Sequence, residues 1–168
     1  NLFLYDIDPK KAYQDSISNA DVIFICVPTP RTKDGSAGLD AVESAFETIQ
    51  GEKIVVIKST VPPGTTEDFQ RRYPRHKVLF NPEFLTERKA WEDFMKPDRQ
   101  IVGFTERSID AAHAVLMLLP RAPFMSPWGS QTYKPNKITA TEAEIIKYGG
   151  NVYFSRKINF ANALAKLA

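Results

Sequence analysis

The chain has 168 residues, 43% of them hydrophobic, and its 22 Lys plus Arg against 20 Asp plus Glu give a formal net charge of +2. This is one domain's length with enough apolar content for a packed core, which excludes a disordered tail, and the near-balance of charge leaves no field for holding nucleic acid or an anionic membrane. One cysteine rules out an intrachain disulfide and a Cys-rich zinc site, and no apolar run nears the roughly 20 residues of a membrane span, so the expectation is a soluble, cytoplasmic protein with no metal.

The chain opens on Asn1, directly inside the strand-like run Leu2-Phe3-Leu4-Tyr5, and both ends are expected to be cut. Strands are predicted over 2–5, 22–27, 53–57, 77–80 and 100–103, with helices over 40–50, 65–73 and 108–119. Alternating strands and helices point to an α/β, Rossmann-like parallel sheet covered on both faces. The runs VIFICV and KIVVIK are almost wholly apolar, as strands buried on both sides are, and are expected at the centre of the sheet. Cys26, inside the first run, reads as a small buried hydrophobe. Residues 120–140 are rich in Pro, Ser and aromatics without a period and are expected to form an irregular connection. From 141 to 168 the pattern predicts one helix of about 28 residues and about 40 Å. Thr139 or Thr141 is its N-cap, and Glu142 and Glu144 suit its positive end. His76 and His113 have no partner pattern and are expected on the surface; Trp91 and Trp128 read as packing residues.

Several motifs carry chemistry. Asp6 ends the first predicted strand, where an acid accepts hydrogen bonds from ribose hydroxyls in dinucleotide folds, although a solvated turn carboxylate fits the same residue. The glycine-rich phosphate loop expected about 20 residues earlier is missing. That loop follows the first, central strand of a doubly wound sheet, so the predicted sheet lacks its first strand. Cys26-Val27-Pro28-Thr29-Pro30 ends the next strand and presents Thr29 where open α/β sheets bind ligands. Lys58-Ser59-Thr60-Val61-Pro62-Pro63-Gly64 follows the third, with hydroxyls that bind a cofactor, orient a water or cap a helix. The fourth runs into Asn81-Pro82-Glu83-Phe84-Leu85-Thr86-Glu87. On the long helix, Lys147 and Asn151 share a face one turn apart. Either they are a solvated pair or they converge on a developing oxyanion.

VPTP, KSTVPPGTT, NPEFLTE, KPDRQIVG and TEAEIIKYGGNVYFSRKINFANALAKLA, in this order and spacing, resemble successive signatures of the UDP-glucose/GDP-mannose dehydrogenase family. The resemblance implies a fragment of an NAD-dependent nucleotide-sugar 6-dehydrogenase. Residues 1–119 would be a partial NAD-binding domain, 120–140 a connection, and 141–168 the start of a central helix that contributes substrate contacts and a homodimer interface. Its reaction would oxidise a UDP- or GDP-sugar C6 alcohol to the uronate in two stages, UDP-glucose to UDP-glucuronate first among them, in polysaccharide precursor supply. It would pass through a thioester on a cysteine beyond Ala168. Position by position, Asp6, Lys11, Thr29, Ser59, Thr60 and Glu87 would bind the cofactor. Glu83 would handle protons or activate water with Thr60 positioning it, Lys147 and Asn151 would be catalytic, and Phe84, Leu85, Glu83, Lys147 and Asn151 would hold the nucleotide-sugar. The chain departs from the family in a short 8–20 segment, which leaves room only for a reduced helix near Lys11, and in Thr86-Glu87-Arg88 where many members have Arg-Glu-Gly. The 141–168 helix should expose Tyr148, Val152, Ile158, Phe160 and Leu164 when the chain is alone. Two alternatives stand beside this one: a non-catalytic nucleotide-sugar-binding or dimerisation module, and a related NAD-dependent β-hydroxyacid dehydrogenase, against which NPEFLTE argues.

Overall fold

A computed structural model of the chain describes residues 1–127 and 137–167. In chain order the elements are β1 (Val22–Ile25), α1 (Asp40–Thr48), β2 (Ile54–Ile57), α2 (Thr65–Arg72), β3 (Lys77–Phe80), α3 (Ala90–Met95), β4 (Arg99–Ile101), β5 (Gly103–Phe104), α4 (Ile109–Met117), β6 (Phe124–Ser126) and α5 (Ala140–Ala165). β-branched and aromatic residues dominate β1, β2 and β3, and these pair in parallel with β2 in the middle. β5 adds to β3 in the antiparallel sense, giving the order β1-β2-β3-β5.

The pleat sorts the core. Val55 and Ile57 of β2 with Val78 and Phe80 of β3 face one side, where Val42 and Phe46 of α1, Phe69 of α2, and Ala140 and Ala143 of α5 cover them. Val56 and Leu79 face the other, under Ala111, Ala112, Val115 and Leu116 of α4. Phe46 anchors the first layer, with its ring centroid 4.7 Å from that of Phe69 and 4.9 Å from that of Tyr73. The α/β sheet covered on both faces is therefore present, mostly parallel.

Some expectations fail, for local reasons. Residues 2–5 form no strand: only Tyr5 makes an isolated antiparallel bridge, to Gln14, and Leu2 and Ile7 are exposed. No other described strand lies beside them to complete a ladder. For the same reason β1 is an edge strand with Val22, Ile23 and Phe24 only half-buried, not a central one. The predicted 100–103 strand is split at Val102, because β4 pairs with β6 in a separate two-stranded sheet while β5 joins the main one. β6 falls inside the region expected to be irregular, and α3 has no counterpart among the predicted helices. The 8–20 segment, expected to leave room only for a reduced helix, holds two 3-10 turns, Pro9–Lys11 and Ile17–Asn19. Trp91 is 77% exposed and packs no core; its fellow Trp128 lies outside the described residues. His76 is buried, not on the surface, and Phe46 and Tyr73 flank its ring.

α5 crosses the sheet by its first two turns. Its N-cap is Thr139, whose hydroxyl and Glu142 form a reciprocal capping box. Thr139 also bridges to Phe104 of β5. Gly103 permits this approach: a Cβ there would lie 2.7 Å from Ala143 Cβ and 2.9 Å from both Ala140 Cα and the Thr139 carbonyl oxygen. Backbone must move to accommodate it, so Gly103→Ala should lower stability by about 1–3 kcal/mol in urea unfolding. A variant as stable as the parent would show that α5 does not pack this closely.

Candidate active site

Parallel register continues past the ends of the strands, where the Lys58 N–H donates to the Ile25 carbonyl and the Asn81 N–H to the Ile57 carbonyl, both at 2.9 Å. The loops after β1, β2 and β3 therefore leave the same edge of the sheet. Two hydroxyls stitch the first pair together: Thr29 Oγ1 donates to the Thr60 carbonyl at 2.8 Å, and Ser59 Oγ to the Val27 carbonyl at 2.6 Å. The loop after β3 is held from two sides by ammonium groups. Lys58 Nζ lies 2.6 Å from Glu83 Oε1, and Lys147 Nζ of α5 donates to the Glu83 carbonyl oxygen at 2.5 Å. Two cations lie over the Phe84 ring, Arg99 Cζ 5.0 Å and Lys147 Nζ 5.8 Å from its centroid. Burial pushes the Lys147 ammonium below the ordinary lysine value, and the Glu83 carboxylate opposes that shift.

The placement of Lys147 is fixed one turn earlier on α5. Glu144 is fully buried, and its carboxylate accepts from Gly64 N at 2.5 Å, Thr66 N at 2.8 Å and Thr66 Oγ1 at 2.6 Å. Gly64 caps α2 without a side chain, so the free N–H groups there take a cap from another helix. Glu144, Lys147 and Asn151 follow at i, i+3 and i+7 and share a face. By its position in sequence Glu144 suits its own helix's positive end; it serves α2 instead, and only Glu142 caps α5.

The predicted site residues fall into groups. Thr60 and Asn151 line one open groove of about 360 Å³ with Tyr148, Val152, Ser155, Arg156 and Asn159. Glu83, Phe84 and Leu85 line a second pocket with Arg99 and Gln100, whose free space of about 10 Å³ is near that of a single water. Thr29 with Thr60 and Glu83 with Lys147 are thus two contacting pairs, linked by the turn of α5 from Lys147 to Asn151, and neither pocket is lined by all four. Glu87 is exposed at the start of a 3-10 turn. Asp6 and Lys11 pair with each other at 2.8 Å on the N-terminal segment, and the Lys11 ammonium, helped by the Asp8 N–H, holds the Asp6 carboxyl below its ordinary value. Asp6 ends no strand, contrary to expectation, because the preceding run has no ladder. Cys26 is exposed just past β1, not a buried hydrophobe, although desolvation by neighbouring atoms raises its thiol. Among the described residues no cluster of His, Cys, Asp or Glu suits a metal ion, and no helix is long and apolar enough to cross a membrane.

Lys58 carries no role in the sequence reading. A lysine closing an apolar strand looks like a solvated end, but the parallel register sets it beside Asn81, two residues before Glu83.

A mostly parallel sheet with polar loops at its carboxyl edge and a long helix crossing it defines a Rossmann-like, NAD-binding fold. The model of the UDP-glucose/GDP-mannose dehydrogenase family, NAD binding domain, matches residues 6–117, and the chain belongs to that family. A UDP-glucose 6-dehydrogenase of Rickettsia conorii is 36% identical over an alignment of 163 positions that covers 92% of this chain and 35% of that protein. A Methanocaldococcus jannaschii protein of uncharacterised activity is 40% identical over an alignment of 167 positions that covers 90% of this chain and 17% of that protein. Among solved structures, a UDP-glucose dehydrogenase from the archaeon Pyrobaculum islandicum has 33% identity and a TM-score of 0.72, covering 98% of this chain and 42% of that one. The chain thus spans about a third of the named dehydrogenase it matches.

Glu144 yields a test. Burial raises its carboxyl above the ordinary value of 4.5, outweighing the hydrogen bonds from Thr66 and Gly64. The folded protein then holds this proton more tightly than the unfolded chain, so the associated stability is complete below pH 4.5 and is lost as pH rises through the folded-state pKa. Glu144→Gln should flatten that decline in urea unfolding measured at stepped pH, and Glu144→Ala should cost about 1–3 kcal/mol by stranding the buried Thr66 N–H and the partly buried Gly64 N–H. Identical slopes in parent and Gln variant would remove the raised pKa from consideration.

Proposed function

We propose that the complete protein containing this chain is an NAD-dependent nucleotide-sugar 6-dehydrogenase that oxidises a C6 alcohol to the carboxylate, with UDP-glucose to UDP-glucuronate the first candidate. The observation that carries this reading is the Glu83 peptide at the tip of β3, reached by the Lys147 ammonium of α5. The names of the relatives support the substrate class, since UDP-glucose dehydrogenases recur among them and a GDP-mannose dehydrogenase stands beside them.

The residues present fit the cofactor. The carboxyl ends of parallel β1 and β2 carry Thr29, Ser59 and Thr60 on proline-marked loops, and Asp6 offers an anionic acceptor for ribose hydroxyls beside Lys11. Bound NAD supplies a hydride acceptor in each of the two stages, and water supplies the second carboxylate oxygen. In this reading Glu87 also faces the cofactor, and Phe84 and Leu85 hold the nucleotide-sugar by main-chain contacts. Glu83 manages protons and water with Thr60. Lys147 and Asn151 stabilise charge developing on the C6 oxygen. A half-buried ammonium suits that task, because its field is less screened there than in water.

Residues 1–119 act in this proposal as part of the cofactor domain, 120–140 as connection, and 141–168 as the start of a helix shared with a second subunit. Val152, Ile158, Phe160 and Leu164 are each more than half exposed around α5, a broad apolar surface that a homodimer would cover in part, whereas Tyr148 is partly covered already. A cytoplasmic place in polysaccharide precursor supply follows from the same reading.

The test is NADH formation by the complete protein with a panel of UDP- and GDP-sugars, with Lys147→Ala beside it. Lys147→Ala should reduce kcat by about 100-fold or more while NAD affinity changes little. The 168-residue chain alone should sustain no turnover. Equal losses in kcat and NAD affinity would remove the oxyanion role, and sustained NADH production by the chain alone would show that it needs no further residues.

A further inference from the structure

We infer that Lys58, which has no part in the chemistry above, is a positioning residue for Glu83, clamping its carboxylate while Lys147 holds its main chain. This rests on reading Glu83 as the carboxylate that handles protons and water. The Lys58 side chain is only 11% exposed, against 32% for Glu83, so the pair is not a solvated surface contact of little consequence. Its Nζ is fixed by two acceptors, Glu83 Oε1 at 2.6 Å and Asn81 Oδ1 at 2.7 Å. Asn81 is itself fully buried, and its Nδ2 donates to the Ile101 carbonyl at 2.7 Å, which turns the amide oxygen toward Lys58. The backbones of Lys58 and Asn81 are tied into the ladder through Ile25 and Ile57.

The chain of contacts therefore runs from the sheet through Asn81 and Lys58 to one carboxylate oxygen. A glutamate on a loop has several rotamers to lose, and holding it by a residue anchored in the sheet removes that freedom before substrate arrives. The other end of the same residue, its carbonyl, is already taken by Lys147. Glu83 is thus gripped at both ends by cations from two different elements, one at the end of β2 and one from α5.

The experiment uses the complete protein with Lys58→Met, which keeps length without charge, and Lys58→Arg, which keeps charge. Steady-state kinetics are paired with carbodiimide-driven amine labelling of Glu83, read by peptide mass spectrometry. Lys58→Met should lower kcat about 10- to 100-fold, with KM for NAD and nucleotide-sugar within about twofold of the parent. It should also increase labelling of Glu83, and Lys58→Arg should recover most of both. Lys58→Gln replaces the Met variant if that one does not fold, with the same expectation. Unchanged kcat, or kcat and both KM values worsening together without recovery by Arg, overturns the proposal. If the parent protein oxidises no nucleotide-sugar, the dehydrogenase reading fails on its own, and labelling still decides the clamp: unchanged Glu83 labelling in Lys58→Met overturns it.

Discussion

A buried carboxylate joins the two halves of this site. Glu144 reaches from α5 to the unfilled N–H groups of α2, and the helix so anchored presents Lys147 and Asn151 toward the loops that leave β2 and β3. Removing an acid from water is unfavourable, and the three hydrogen bonds at the start of α2 offset only part of it, which is why the Glu144 carboxyl stays above its ordinary value. The same contact fixes the turn that carries Ser59 and Thr60, because that turn runs straight into Gly64. Gly103 completes the docking by letting α5 approach β5 without an intervening side chain.

Around that joint, cations from three elements gather on the loop after β3. Lys58 and Lys147 both converge on Glu83, and Arg99 faces the same Phe84 ring as Lys147. Such a concentration of cations costs desolvation, seen in the lowered Lys147 value, and is useful where a negative charge must be held or formed. Apolar surface is left uncovered in two places, along the later turns of α5 from Val152 to Leu164 and at Leu2 and Ile7 of the N-terminal segment. Neither supplies the cations that grip Glu83, although Val152 lines the groove that Thr60 and Asn151 share.

Much of this was legible in the residues themselves. Runs such as Ile54-Val55-Val56-Ile57 have one structural use, and period-two packing of β2 and β3 followed from them. The strand-tip motifs were legible for the same reason, since proline and hydroxyl residues after a buried strand mark where the ladder ends. What could not be read were contacts between distant segments. Glu144 is 78 residues from Thr66, and nothing in its own helix shows that it caps another one. Lys58 meets Glu83 only through strand register. Leu2 to Tyr5 looked like a strand because composition records propensity, whereas a strand needs a neighbour to bond. Cys26 was misplaced because β1 lies at the edge of the sheet, and Trp91 because it lies on a short helix with no buried residue.

The most direct measurement is a crystal structure of the complete protein with NAD and an unreactive nucleotide-sugar. The C6 substituent should lie within hydrogen-bonding reach of Lys147 Nζ and Asn151, with Glu83 beside it and Thr60 on the cofactor side. A sugar seated elsewhere, leaving Lys147 on the Glu83 carbonyl and Asn151 in solvent, would contradict the convergence of strand tips and helix on one reacting centre.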